Sequence, residues 1–285
     1  MKLASFSVFG NPTYGAIIDD RIIDIGSRLK RQYPTLRAAL AGNGLQNIAD
    51  EAKTAKPELG FEQVTWLPPI PDPDKIICIG LNYKAHAAEA GMKAPEKPSL
   101  FIRLGNTLVP HGGSIVRPKI SSQLDYEGEL ALIISKPGRH IAESDALKHI
   151  AGYSCFNDGS LRDIQFGHSV AAGKNFIATG GFGPWIVTSD EIPDPSRLTL
   201  TTRLNGKEVQ RGTTNDLIFT VPAIISYVSS FTELAPGDVI ATGTPHGVGF
   251  ARNPPLWMKP GDTVEVDISM IGVLRNHVLA EEQSN

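Results

Sequence analysis

Short apolar runs broken by Gly, Pro, Asn and Asp dominate the chain, and their spacing changes twice along its length. Residues 3–9, 14–18 and 21–25 read as three short strands, with a turn at Gly10-Asn11-Pro12 and another at Asp19-Asp20, which predicts a small meander. Helical spacing follows at residues 35–41 and 45–55, separated by Gly42-Asn43-Gly44, where Gly42 ends the first helix. Pro68, Pro69, Pro71 and Pro73 then exclude both a helix interior and a central strand, so a domain boundary is placed near residue 70. Beyond it, residues 75–79, 129–135, 185–188, 198–204, 238–242 and 263–268 carry strand character, with helices few and short between them. The expected fold is α+β and mostly β: a small N-terminal α/β domain over residues 1–70 and a larger mixed-β domain over 71–285.

Composition narrows the function classes. A chain of 285 residues, 41% hydrophobic and 20% charged, is globular in make-up. Its net charge of -3 and the absence of a dense Lys/Arg run argue against a nucleic-acid partner. No stretch approaches the roughly 18 consecutive apolar residues that span a bilayer, and Gly10-Asn11-Pro12 interrupts the start before a signal core builds up, so the protein is expected in the cytoplasm. Cys78 and Cys155 sit in apolar runs as small core residues and form neither a disulfide framework nor a zinc site.

The candidate chemistry is carboxylate-based. In Asp125-Tyr126-Glu127-Gly128-Glu129, followed by the apolar run 130–134, residues two apart on a strand share a face, so Glu127 and Glu129 lie side by side where the strand enters the core. Two such carboxylates repel and are costly to desolvate unless a cation sits between them; the bland alternative is a solvated edge strand. Asp158, in Asn157-Asp158-Gly159 at the end of the apolar stretch 150–156, is either a third ligand or part of a hairpin turn. All-oxygen donors favour Mg²⁺, Mn²⁺ or Ca²⁺, and three side chains leave coordination positions open for substrate.

Around residue 86 a short helix is expected, with Asn82 as its N-cap and Gly91 as its stop, so that His86 and Glu89 meet at i,i+3. That pairing suits a general base, though a surface ion pair is an equal reading. Arg162, Gln165 and Lys174 follow Asp158, and Lys174 could stabilise developing negative charge. The glycine-rich stretch from Thr242 to Gly249, which includes Thr244, offers backbone N–H groups to a carboxylate but lacks the spacing of a nucleotide-binding loop. Gly167-His168-Ser169-Val170-Ala171 falls one residue short of a nucleophile elbow and lacks the strand that should precede it, so a serine hydrolase is set aside.

Taken together, Gly80-Leu81-Asn82-Tyr83 with His86 and Glu89, Asp125 to Glu129, Asn157-Asp158-Gly159 with Arg162-Asp163, Gly173-Lys174, and Thr242-Gly243-Thr244-Pro245 with Gly247 and Gly249 resemble the fumarylacetoacetate hydrolase family over about residues 70–280. The resemblance implies a mixed β-roll or barrel, usually a homodimer, with Mg²⁺ or Mn²⁺ on Glu127, Glu129 and Asp158. It also implies a His86–Glu89 dyad and Lys174 as catalytic groups, and Arg162, Gln165 and Thr244 towards the substrate. Two departures matter. Ile79 stands where large animal members carry a further carboxylate, which points to the smaller acylpyruvase and oxaloacetate decarboxylase branch, and Arg103 stands where many relatives of that branch have lysine. The expected reaction is hydrolysis of a carbon–carbon bond in a 2,4-dioxo acid through a pyruvate-type enolate. Decarboxylation of oxaloacetate or isomerisation of an oxo acid could use the same site. The alternative of another class is a non-catalytic protein that uses the cation for stability alone.

Overall fold

The computed structural model describes residues 1–282. Its backbone is an eleven-stranded mixed sheet, a five-stranded sheet and a two-stranded ribbon, with short helices between them. Among the described residues the longest helix is Val221–Phe231, at eleven residues, and no helix is long and apolar enough to cross a membrane.

The centre of the large sheet is Gly128–Ile134, paired antiparallel with Ile150–Asn157 on one side and with Val239–Ala241 on the other; Val239–Ala241 in turn runs parallel to Ile76–Gly80. A strand flanked on both sides within a sheet, and covered on both faces, should read as unbroken apolar sequence, and Leu130 to Ile134 does. Leu130, Leu132 and Ile134 face a core shared with Leu200, Val266 and Leu274 of the five-stranded sheet and with Ile224 and Val228 of the long helix. Ala131 and Ile133 face a second core, shared with Leu36, Leu40 and Ile48 of the N-terminal helices.

The meander expected at the start forms as Lys2–Val8, Asn11–Ile18 and Arg21–Asp24, and Thr35 caps the helix Leu36–Ala41. The meander does not close on itself. Lys2 and Leu3 pair with Val187 and Ile186 of Gly180–Thr188, so the small α/β region extends the large sheet.

Several strands escaped the sequence reading, three of the longer ones for separate reasons. Lys207–Thr213 is largely polar because it is the edge of the five-stranded sheet; Gly272–Ala280 is buried only at alternate positions; Ser99–Arg103 edges the large sheet. Two Pro-Gly turns, Pro236-Gly237 and Pro260-Gly261, behave alike: the glycines take φ of +87° and +93°, and the aspartates that follow, Asp238 and Asp262, each accept the N–H three residues back.

Candidate active site

The carboxylates converge where the central strand begins. Glu127 immediately precedes Gly128–Ile134, and Asp158 immediately follows its neighbour Ile150–Asn157; Asp158 N–H donates to the Glu127 carbonyl at 2.8 Å, which continues the ladder. The hairpin alternative for Asp158 is thereby removed, since the chain runs on into Ser160–Leu161, paired with Leu124–Asp125. Oxygens of Glu127, Glu129 and Asp158 all lie within 4.8 Å of one another, and all three residues are buried.

Three buried cations meet this cluster. Arg162 donates to Asp125 Oδ2 at 2.8 Å and to Glu127 Oε1 at 2.6 Å. Lys174 Nζ bridges Glu127 Oε2 and Asp158 Oδ2, at 2.6 Å each. Arg103 donates to Asp158 Oδ1 at 2.5 Å. Four carboxylates, counting Asp125, thus face three cations, and the one left over is Glu129. One of its oxygens accepts from Gly243 N–H at 2.7 Å, and the other makes no hydrogen bond among the described residues. The titration behaviour follows this distribution. Burial favours the neutral form of Glu127, but the Lys174 and Arg162 charges outweigh it and hold that carboxyl well below the usual range. Burial and the negative charges of Asp158 and Glu127 push Glu129 well above it. Burial would neutralise Lys174, yet Asp158 and Glu127 keep it an ammonium.

The donor set fits a divalent ion. It offers hard oxygen donors, one of them without a cation of its own, in a cluster short of positive charge. With Glu129 ionised, a dication turns an excess of one negative charge into an excess of one positive charge, which then favours an anionic ligand.

The expected short helix is Lys84–Glu89, and Gly91, at φ +69°, ends it. His86 is buried, and its Nδ1 lies 2.9 Å from Glu89 Oε1. Glu89 also accepts Gly247 N–H, at 2.9 and 3.0 Å to its two oxygens, so the helix is tied to the glycine-rich loop. Asn82 does not cap this helix, as the sequence had suggested. It is buried, donates to the carbonyls of Phe219 and Thr242, and accepts from Phe219 N–H, because the chain needs those loop groups satisfied more than an already exposed helix end.

A cavity of about 170 Å³ collects these groups. His86, Glu127, Glu129, Asp158, Arg162, Gln165, Lys174 and Thr244 all line it, whereas Glu89 reaches it only through His86. Gln165 accepts from Arg162 at 2.9 Å. The Thr244 hydroxyl donates to the Gly128 carbonyl at 2.9 Å and accepts from Gln210 at 2.8 Å, so it ties the loop to the central strand. Phe101, Phe166, Phe250 and Met92 complete an apolar wall; Phe250 stacks under the Arg162 guanidinium at 4.6 Å, and Phe101 lies 5.2 Å from Lys174 Nζ. Ser169, the serine of the near-elbow, caps Val170–Lys174 by accepting from Ala172 N–H, after a helix rather than a strand.

Sequence reasoning gave no role to Gln210 and noted Arg103 only as a departure, while it offered the N–H groups of Thr242 to Gly249 to a carboxylate; the structure gives Gly243 N–H to Glu129, Gly247 N–H to Glu89 and Gly249 N–H to Asp125, all carboxylates of the protein itself. Arg103 carried a signal, a cation ending an otherwise apolar strand. Asp125 carried another, since it continues the two-residue spacing of Glu127 and Glu129. Gln210 carried none that spacing could reveal.

Buried carboxylates with a deficit of positive charge, opening on a cavity that is also lined by a histidine backed by a carboxylate, define an enzyme site of the metal-binding kind. A family model described as fumarylacetoacetate (FAA) hydrolase C-terminal matches residues 75–279, and the chain belongs to that family, in its smaller, oxaloacetate tautomerase-like branch. The human mitochondrial oxaloacetate tautomerase FAHD2A is 39% identical over 242 residues, which cover 84% of this chain and 77% of that protein. Among solved structures, the fumarylacetoacetate hydrolase of Exiguobacterium antarcticum is 33% identical with a TM-score of 0.81, covering 99% of this chain and 100% of that one. The maleylpyruvate hydrolase of Sphingobium sp. SYK-6, in complex with a manganese(II) ion and pyruvate, is 29% identical with a TM-score of 0.83 and the same coverage.

Proposed function

We propose that this enzyme uses a divalent ion to interconvert the keto and enol forms of a small 2-oxo acid of the oxaloacetate type. The observation that carries the reading is the placement of His86 and the charge-deficient carboxylate cluster on one cavity. Both Glu89 oxygens act as acceptors, towards Gly247 N–H, and with His86 Nδ1 donating to Oε1 as well, Nε2 is left as the acceptor. His86 then takes the proton from the carbon beside the keto group and returns it to oxygen; one C–H bond breaks, one O–H bond forms, and no atom is gained or lost. Lys174, an ammonium fixed by two carboxylates, stands at the cluster to oppose the negative charge that builds up on oxygen between those events. Arg162 holds Glu127 and Asp125 in place, and its charge helps to keep Glu127 ionised. When bound by Glu127, Glu129 and Asp158, Mg²⁺ or Mn²⁺ supplies Lewis acidity and a template for an acid with adjacent carboxylate and keto oxygens.

A second reading, hydrolytic cleavage of a 2,4-dioxo acid, is favoured by the same dyad and by the maleylpyruvate hydrolase relative. There His86 would take a proton from water as the oxygen adds to the distal carbonyl, and the carbon–carbon bond would break to leave a pyruvate-type enolate and a carboxylic acid.

The two readings part in a single experiment. Oxaloacetate and an acylpyruvate are incubated in deuterated water with Mg²⁺ or Mn²⁺: deuterium entering C3 without cleavage supports tautomerisation, and release of pyruvate with an acid supports hydrolysis. Turnover that survives exhaustive chelation rejects both.

A further inference from the structure

Each of the three convergent carboxylates, Glu127, Glu129 and Asp158, has one oxygen committed to a fixed protein donor other than Lys174. Arg162 takes Glu127 Oε1, Arg103 takes Asp158 Oδ1, and the Gly243 N–H takes Glu129 Oε2. The remaining oxygens of Glu127 and Asp158 already meet a cation, the Lys174 ammonium, and that of Glu129 meets none among the described residues. Calcium reaches six to eight oxygens by taking carboxylates through both of theirs, whereas Mg²⁺ and Mn²⁺ accept one oxygen from each carboxylate and fill six positions with other donors. We propose that Arg103 is a positioning residue that denies Asp158 Oδ1 to a bound ion and so sets the site against Ca²⁺ in favour of Mg²⁺ and Mn²⁺.

Arg103 is built to stay where it is. Its side chain is fully buried, and beyond Asp158 it donates to the Gly159 carbonyl at 3.0 Å and to the hydroxyls of Thr107 and Thr179 at 3.1 Å each. Those hydroxyls spend their own protons on the Leu104 and Phe176 carbonyls, which leaves their lone pairs turned to the guanidinium. A Cβ at Gly180 would lie 2.8 Å from an Arg103 nitrogen, so glycine there makes the room. A planar fork held by four acceptors cannot swing off Asp158 to admit a larger ion, as a lysine on a flexible stem could.

The inference rests on the metal-dependent reading, and the test separates the two. Metal-free protein is titrated calorimetrically with Mn²⁺, Mg²⁺ and Ca²⁺, without substrate. Mn²⁺ and Mg²⁺ are expected to bind more tightly than Ca²⁺. In Arg103→Gln the Ca²⁺ to Mn²⁺ affinity ratio is expected to rise about tenfold, with Arg103→Lys between that variant and the parent. Should Arg103→Gln not fold, Thr179→Val, which removes one of the four acceptors, is expected to move the ratio the same way by less. A merely structural role would weaken all three ions together and leave the ratio alone. That result, or a parent protein that binds Ca²⁺ as tightly as Mn²⁺, overturns the proposal while leaving the metal-enzyme reading intact. Failure of every divalent ion to bind overturns both.

Discussion

Two groups of ion pairs in this molecule have similar lengths and opposite settings. On the five-stranded sheet, Arg203–Asp267 at 2.9 Å and Arg275–Glu265 at 2.7 Å lie in partly or largely solvated positions. Beside the central strand, Arg103, Arg162 and Lys174 meet Asp125, Glu127 and Asp158 at 2.5 to 2.8 Å with almost no exposure. Water already solvates the first group, so each pair contributes at most about 1 kcal/mol. The second group has lost its water, and its members are costly unless all are present. Distance alone says nothing about what a pair does; a fold that needed only stability would have filled the second region with leucine. The buried group instead gathers charge on and beside the walls of the cavity.

The sharpest way to break that contrast is to remove one buried cation. Lys174→Met should abolish turnover and destabilise the metal-free protein by about 3–5 kcal/mol, since it strands Glu127 and Asp158 without a shared cation. Denaturation with and without Mn²⁺ measures this, and the loss should shrink when the ion is present. An equal loss in both states would mean the cluster answers to packing rather than to charge.

His86→Ala should lower turnover by about 10² to 10⁴-fold while calorimetric metal affinity and melting temperature stay close to the parent's. Unchanged turnover would return the molecule to the non-catalytic alternative. Glu89→Gln keeps a hydrogen-bond partner for the imidazole but loses its charge; the expected fall in turnover is about tenfold, with metal affinity again unchanged.

The solvated and buried groups should also differ in their response to pH. Glu129 is pushed up by burial and by Asp158 and Glu127, so the folded, metal-free protein keeps a proton there that the unfolded chain releases. Through this group, stability falls as pH rises from the ordinary carboxylate range towards the raised value, and an incoming divalent ion displaces the proton. Metal affinity should therefore climb with pH, by up to about tenfold per unit, until Glu129 is ionised in the free protein. Calorimetry in two buffers of different ionisation enthalpy counts the proton; zero release would remove Glu129 from the centre. The smallest effect belongs to the solvated group: Arg275→Ala should change stability by less than about 1 kcal/mol and turnover not at all.

Much of this site was legible in the sequence because its parts are local. Glu127 and Glu129 stand two apart ahead of an apolar run, His86 and Glu89 three apart on one helical turn, and Asp158 at the end of an apolar strand; each spacing maps directly onto a shared face or a strand end. The mixed, strand-rich class was legible for the same reason. What local spacing could not supply was partnership across the chain. That residues 76–78 lie beside 239–241 is written in no short pattern, and neither is the choice of Arg103 as the partner of Asp158 or of Gln210 as the tie between the central strand and Thr244. The Asn82 reading failed on this point too: the local capping rule was sound, but the carbonyls of Phe219 and Thr242, distant in sequence, had a stronger claim on its amide.

The parallel pairing of Ile76–Gly80 with Val239–Ala241 has a kinetic consequence. Chain segments more than 160 residues apart, as in the Lys75 N–H bond to Asp238, must find each other before the strand that carries Glu127 and Glu129 has both its neighbours and before Gly243 can reach Glu129. High contact order of this kind slows folding, and it makes the ion-binding centre a late product of a concerted closure rather than something assembled piece by piece. In refolding followed by stopped flow, acquisition of Mn²⁺ should therefore keep pace with the slowest phase that completes the native sheet, with no earlier species able to sequester the ion.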